Sequence, residues 1–485
     1  MSIILVLDCG ATNLRAIALD QYGNILASHH IANCTSVDSG NPDYHIWDFD
    51  EIWKKLEQCV LHTLAQLEQS EMPLTEVIGI TVTTFGVDGT AFDRFGKQIY
   101  PIISWKCPRT ISIMQNLDRY FDINDLYQRN GVGLHSFNTL FKLIWLKENQ
   151  PDIFKRMDKF VFISSMLNHR LTGVFSTDHT MAGTSMMTDL RRGSWDHKIL
   201  SALDLTENHF PSFVYAGDQI GHLSATLAKK WGLNQVPVIS SGHDTQFAVF
   251  GSGAKLHQPV LSSGTWEILM VRTEKAFPNF HDFSQELTTE FDAIFGYFNP
   301  AVQWLGSGVM EWIGKLFFSD VKDSQDYYST MISAAENIPV GSNGVSFSNS
   351  FLPSNGVGAG KIKGLSITST RGEIYRAALE YMAMQLSNGL NLLQHQGGFQ
   401  TDSLICVGGG SKNKLWNQIR ADVLGFPIDI VDVAECTVLG AAMFAFTHVG
   451  VYENIVVAQQ VMSPVKRRIY PSEQSSLYQQ LRQNY

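Results

Sequence analysis

Ile3-Ile4-Leu5-Val6-Leu7-Asp8-Cys9-Gly10-Ala11-Thr12-Asn13-Leu14-Arg15 is the stretch whose reading decides how this chain is built. Its five leading apolar residues predict a strand. The polar turn Asp8–Asn13 follows, and Leu14–Asp20 alternates again as a second strand until Tyr22-Gly23-Asn24 supplies another turn. This is strand–turn–strand, not the strand–turn–helix of a dinucleotide site or P-loop. Gly10 permits close approach of the backbone to a ligand, and successive amides in such a turn can cup an anion. Asp8 offers a carboxylate that can hold magnesium through water, since that ion keeps several of its waters. Ordinary hairpins use the same residues, so the turn alone leaves phosphate binding and simple chain reversal both open.

Working outward, the same grammar returns three times. Val77–Thr84 leads into Phe85-Gly86-Val87-Asp88-Gly89, and Pro237–Ser241 leads into Gly242-His243-Asp244-Thr245. Pro259–Ser262 leads into Ser263-Gly264-Thr265-Trp266-Glu267, followed by Ile268–Val271. The hairpins at Asp8 and Ser263 read as one device used twice, about half a chain apart, which predicts two domains of related build, 1–247 and 248–485. Strands alternate with helical periodicity at Ile52–Leu67, Thr139–Asn149, Glu373–Leu393 and Lys414–Leu424, so the class is α/β.

Composition narrows the function. With 485 residues, 44% of them apolar and 17% charged, the chain can fill large cores. A net charge of −10, with Lys466-Arg467-Arg468 as the longest basic cluster, argues against a nucleic-acid partner. None of the six cysteines forms a CxxC pair, which removes support for zinc and thioredoxin-type sites. Scattered single thiols suit a reducing cytoplasm. The N-terminus has no basic segment before its apolar run, so no secretory leader is expected. Val438–Val451, interrupted by Gly440, His448 and Gly450, is too short to span a bilayer, so no membrane partner is expected.

The remaining motifs carry chemistry. No GxxxxGK[ST] is present; Gly358-Ala359-Gly360-Lys361 lacks the hydroxyl residue that should follow the lysine. Cys406-Val407-Gly408-Gly409-Gly410-Ser411 leaves no side chain to obstruct a flat ligand or a phosphate, with Gly409 expected at positive φ and a helix to follow. Three polar, glycine-rich turns with a repeated hairpin point to a split nucleotide site rather than coincidence. Asp244, at a strand end, fits the base that a kinase needs to accept the proton of an alcohol; it fits a turn cap equally well. His243 either bonds a sugar or packs, and Asp88 is as ambiguous as Asp244.

Two long patterns settle which family these turns resemble. Phe137-Asn138-Thr139-Leu140-Phe141-Lys142-Leu143-Ile144-Trp145-Leu146-Lys147-Glu148-Asn149 is one. The other runs from Gly360 through Gly364-Leu365 and Glu373-Ile374 to Ala377-Ala378-Leu379-Glu380. Both resemble signatures of the FGGY carbohydrate kinases, and the resemblance covers nearly the whole chain. It implies two ribonuclease-H-like (actin-like ATPase) domains flanking a catalytic cleft. The first would bind sugar and carry one phosphate turn; the second would carry another phosphate turn and bind adenosine. It implies ATP as donor, Mg2+ or another divalent cation, and a small-molecule ketose as acceptor. Carried over residue by residue, ATP contacts fall on Asp8, Gly10, Thr12, Asn13, Arg15, Gly264, Thr265, Gly409, Gly410 and Asn413. The catalytic aspartate falls on Asp244, sugar contacts on Gly86, Asp88, His243, Asp244 and Asn299, and the metal on Asp8 through water. Ala11 and Asn13 interrupt the hydroxyl residues many relatives place in the first turn, so position 11 can act only through its backbone.

Within the family, residues 6–18, 81–89, 100–110, 162–173 and 182–190 resemble the members that phosphorylate L-fuculose at C1. The L-rhamnulose kinases are the nearest competitor, ahead of other ketose kinases. An actin-like chaperone or filament subunit would need large self-association faces, which the sequence does not display. Homo-oligomerisation is left open.

Overall fold

The first apolar run forms strand β1 (Ile3–Cys9), which pairs antiparallel with β2 (Asn13–Asp20); β2 pairs antiparallel with β3 (Ile25–Ala32). In this computed structural model, which describes residues 1–352, 358–432 and 435–483, β4 (Val77–Thr84) runs parallel to β1 on its other side. The sheet closes with β5 (Gln219–His222) as an antiparallel edge and β6 (Pro237–Ile239) parallel to β4, giving the order β5-β6-β4-β1-β2-β3. β1 is apolar at successive positions because both its faces are covered. Ile3, Leu5 and Leu7 share a core with Ile52 and Leu56 of the helix Phe49–Gln69. Ile4 and Val6 share another with Met443 and Phe444 of the helix Cys436–His448.

A second sheet repeats the plan. β7 (Val260–Ser263) pairs antiparallel with β8 (Trp266–Met270), and β8 with β9 (Phe298–Leu305). On the other side β7 pairs parallel with β10 (Leu404–Val407), β10 parallel with β11 (Ile428–Val431), and β11 antiparallel with β12 (Lys466–Ile469). Compared over the six strands named in each, the two sheets differ in chain order at one edge. The antiparallel edge strand precedes the last parallel strand in the first sheet and follows it in the second.

The compact units built on these sheets are assembled from separate segments. One comprises Met1–Gly253, Glu274–Asn299 and Glu435–Ser463; the other comprises Ala254–Thr273, Pro300–Ala434 and Pro464–Tyr485. Helices Thr139–Asn149 and Lys414–Leu424 match the sequence reading at both ends. Phe49–Gln69 and Arg371–Gly397 begin earlier than apolar periodicity alone signals, because caps extend them. Asp48 accepts from the Glu51 amide, and Thr370 and Glu373 form a capping box. Lys361 enters a short strand paired with Ser346–Ser348, so the P-loop-like GAGK string opens no helix.

Parallel pairing is what gathers the chemistry. β1, β4 and β6 end side by side, so the turns after Cys9, Thr84 and Ile239 lie at one end of one sheet. Asp244 opens the helix Asp244–Gly251, which crosses Cys436–His448 with backbones touching. A Cβ on Gly251 would lie 1.9 Å from the Cys436 carbonyl oxygen, and one on Gly440 would lie 2.1 Å from that of Phe247. Only glycine fits at these crossings, so the helix carrying Asp244 is fixed against its neighbour.

Candidate active site

In the first unit the structure brings Gly86, His243 and Asp244 into direct contact. His243 bridges to Thr84 of β4, and its amide donates to Thr180 Oγ1 at 2.9 Å. Its ring lies against Gly86, where a Cβ would stand 2.7 Å from Nε2. Nε2 faces Asp244 Oδ1 at 3.5 Å, and Nδ1 faces Glu290 Oε2 at 3.4 Å. Burial alone would lower the pKa of His243, but the carboxylates of Glu290, Asp244 and Asp178, Glu290 foremost, together outweigh it, and the net shift is upward. Asp244 is shifted upward by burial and by the charge of Asp8, against the pull of His243. Thr245 Oγ1 donates to Asp244 Oδ1 at 3.2 Å, and the Thr245 amide joins it in favouring the ionised carboxylate. With 31% of its side chain exposed, Asp244 is reachable by a ligand. Beneath it, Asp178 accepts from Thr180 Oγ1 and the Met181 amide, and burial pushes its pKa up to about 6. A Cβ on Gly242 would collide with that carboxylate at 1.9 Å.

The first turn joins Asp8 to Arg15. Asp8 Oδ2 accepts from Arg15 Nε at 2.8 Å and Nη2 at 2.5 Å, and Oδ1 accepts from Thr83 Oγ1 at 3.0 Å. Arg15 also reaches Glu435 Oε2 at 2.6 Å. The Gly10 amide donates to the Asn13 carbonyl, and Asn33 ties to both Gly10 and Thr12. The amides of Ala11 and Thr12 donate to no acceptor among the described residues, which leaves two N–H groups for an anion. Thr12 and Asn13 are exposed beside them. Among the described residues no cluster of three or more His, Cys, Asp or Glu side chains is placed to hold a metal ion. Because each Asp8 oxygen already accepts a hydrogen bond, the residue suits outer contact with a hydrated ion.

Asp88 sits at 0% exposure. Its Oδ2 accepts from Trp47 Nε1 at 2.6 Å and from the Trp105 amide at 3.1 Å, and its Oδ1 pairs with Lys142 Nζ. Lys142 also donates to the Val87 carbonyl, which Thr139 Oγ1 shares. These contacts hold Val87 at φ +62°, a conformation that a β-branched residue rarely adopts. Asp88 therefore organises the turn after β4 from beneath. Asn299 is fully buried in β9.

In the second unit, Ser263 joins the second hairpin to the glycine-rich turn. The Gly264 amide donates to the Trp266 carbonyl, while the carbonyls of Gly264 and Thr265 accept amides from Gly306–Gly308. Ser263 Oγ donates to Glu267 Oε1, and Arg420 pairs with the same carboxylate. A Cβ on Gly410 would lie 2.1 Å from Ser263 Oγ. Positive φ, expected at Gly409, occurs instead at Gly408, with φ +90°, where the backbone closes on the Ser263 carbonyl. Gly409 faces open space, with nothing within 4 Å of a Cβ placed there. Asn413 caps the helix Lys414–Leu424 by accepting from the Trp416 amide and donates to Tyr375 Oη.

The partners around these turns escape sequence reasoning. Glu290, Asp178, Glu435, Trp47 and Trp105 carry no local signal. Lys142 does, as a lone charge inside the apolar run of its helix.

Comparison with known proteins bears on the same residues. The N-terminal domain of the FGGY family of carbohydrate kinases matches residues 3–251, and the C-terminal domain of that family matches residues 260–449. The chain is 62% identical over 473 residues to an L-fuculokinase of Haemophilus influenzae, covering 97% of this chain and 100% of that protein. It is 43% identical over 480 residues to an L-fuculokinase of Escherichia coli K12, covering 99% of each. A xylulose kinase from Rhodospirillum rubrum superposes with a TM-score of 0.89 at 21% identity, over 99% of this chain and 97% of that one. At such identity the superposition speaks for the fold alone.

Proposed function

Because the chain belongs to the FGGY family of carbohydrate kinases, we propose that it transfers the γ-phosphoryl group of ATP to the C1 hydroxyl of L-fuculose. One observation carries the choice of sugar: 62% identity to an L-fuculokinase across nearly the whole of both chains. Asp244 is the base. As the C1 oxygen bonds to phosphorus, its O–H bond breaks and the proton passes to Asp244 Oδ2; the bond from phosphorus to the bridging oxygen breaks, and ADP leaves. Gly86 and His243 line the sugar with Asp244, and Asn299 and Asp88 complete that set, Asp88 by holding Trp47 and Trp105. The amides of Ala11 and Thr12, with Gly10, Asn13 and Arg15, take phosphate oxygens, as does the hairpin at Gly264 and Thr265. Gly409, Gly410 and Asn413 form the adenosine turn. A divalent cation, held by Asp8 through water, would neutralise phosphate charge. The residues through 247, with Asn299, thus serve the sugar and one phosphate turn, and the others from 248 serve the second turn and adenosine.

None of the six cysteines is joined in a disulfide, and among the described residues no helix is long and apolar enough to cross a membrane. We place the enzyme in the reducing cytoplasm on the strength of those thiols.

The test is a steady-state screen of the purified protein with L-fuculose, L-rhamnulose, L-xylulose, D-ribulose and glycerol. L-Fuculose is expected to give the highest kcat/KM, with phosphate on C1 by phosphorus NMR. A site built to hydrogen-bond one hydroxyl rejects a misplaced one strongly. A higher kcat/KM for L-rhamnulose would overturn the sugar and leave the kinase. ADP release indifferent to every ketose would overturn both.

Gly409→Val tests the adenosine turn. Gly409 has ordinary φ and open space, so the variant should fold, and any effect comes from a side chain entering the ligand's volume. KM for ATP is expected to rise by about tenfold or more, with little change in KM for the sugar. An unchanged KM for ATP would remove Gly409 from the nucleotide site.

A further inference from the structure

We propose that Glu290 is a positioning residue for phosphoryl transfer, acting on Asp244 through the imidazole of His243. The inference rests on the assignment of Asp244 as base.

His243 lies between two carboxylates. Glu290 Oε2 stands 3.4 Å from Nδ1 and Asp244 Oδ1 stands 3.5 Å from Nε2. At these separations the contacts are between charges rather than tight hydrogen bonds, and such contacts commonly close up when substrate arrives. The ring has little freedom to turn away, because Gly86 packs against Nε2 and the backbone is pinned to Thr180 and Thr84. Glu290 is anchored in turn. Its Oε2 accepts from Gln246 Nε2 at 2.5 Å, and Gln246 lies in the first turn of the helix that Asp244 opens. One carboxylate therefore braces the histidine and the helix of the base together.

The charge on His243 decides what Asp244 meets. Burial favours the neutral ring, whereas flanking carboxylates favour the cation. A cationic ring points an N–H at Asp244 Oδ1, beside the Thr245 hydroxyl, and leaves Oδ2 for the sugar proton. A neutral ring protonated on Nδ1 would point a lone pair at that oxygen instead. The other charged groups in the neighbourhood are Asp178 at His243, His135 and Glu286 on the Glu290 side, and Asp8 near Asp244. Among the carboxylates felt by His243, only Glu290 faces the nitrogen turned away from Asp244.

Asp244 accepts a proton only when ionised, so kcat/KM rises with pH through its pKa. Loss of the cation beside it raises that pKa and moves the acidic limb to higher pH. In Glu290→Gln, kcat/KM for the ketose is expected to fall roughly tenfold at neutral pH, and the limb to move up by about one pH unit, while KM for ATP stays within about twofold. In a His243→Gln background the same substitution should add no further movement of the limb. In the wild-type enzyme, nitrogen-15 spectra, with His243 assigned from the His243→Gln variant, should show a doubly protonated ring at neutral pH. An unmoved limb in folded Glu290→Gln, an equal shift without His243, or a neutral ring in the wild type would each overturn the proposal. Wild-type kcat in Asp244→Asn would instead sink the base assignment beneath it.

Discussion

Asp244→Asn is expected to lower kcat by about 10²–10⁴-fold while ATP still binds, because the variant keeps the shape of the side chain and loses the group proposed to take the proton. The structure sharpens that expectation. One oxygen is engaged by the Thr245 hydroxyl and faces His243, and about a third of the side chain is open to a ligand. Burial and the nearby Asp8 raise the pKa of Asp244, which makes it a better base than an exposed aspartate, and His243 pulls the other way. An asparagine offers an amide to the same sugar, so KM for the ketose should change less than kcat. Steady-state kinetics with ATP affinity by calorimetry will decide; kcat within a few-fold of wild type would remove Asp244 from the transfer step.

The second large effect is on stability. Lys142→Met deletes the cation from a pair in which both members are buried, leaving Asp88 with only the Trp47 indole and the Trp105 amide. An uncompensated buried charge costs about 3–5 kcal/mol, or on the order of 10 °C in Tm for a domain of this size. The sign of the pH dependence follows. Burial already raises the pKa of Asp88 and Lys142 opposes it, so the variant raises it further. A carboxyl with a raised folded-state pKa contributes stability at low pH that is lost as pH rises through that pKa. The deficit relative to wild type should therefore be larger at pH 8 than at pH 5. Thermal unfolding at both pH values tests it, and a Tm matching wild type at pH 8 would show that Asp88 does not depend on Lys142. Released from Lys142, Val87 should also relax from its positive φ, so sugar binding weakens even where the protein is folded.

The turns were legible because each announces itself locally. An apolar strand that stops at glycine, aspartate and a hydroxyl residue reads the same wherever it occurs, which is why the turns at Asp8, Gly86, Asp244 and Gly264 stand out in the sequence. The partners were hidden because sheet topology supplies them. Glu435 reaches Arg15 across 420 residues of sequence, and Trp47 reaches Asp88 across 41, with nothing in either neighbourhood to name the other. Positive φ falls at Gly408 rather than at the expected Gly409 for a related reason. Three consecutive glycines are equally permissive, and the choice among them is made by the Ser263 carbonyl on the adjacent strand. Lys142 is the exception, since a cation in the middle of an apolar helix demands a buried anion.

The helix Cys436–His448 covers the β1 face that carries Ile4 and Val6, yet it follows the main body of the second unit in the chain. A ribosome releases the chain in one direction, so the first sheet is written early and its second cover is written late. Throughout that interval an apolar face of the sheet, with Ile17 and Leu19 alongside, lacks its native partner. Stalled or prematurely terminated synthesis thus yields a species with a ready surface for aggregation rather than a folded half-protein, and holdase chaperones would have their longest opportunity there.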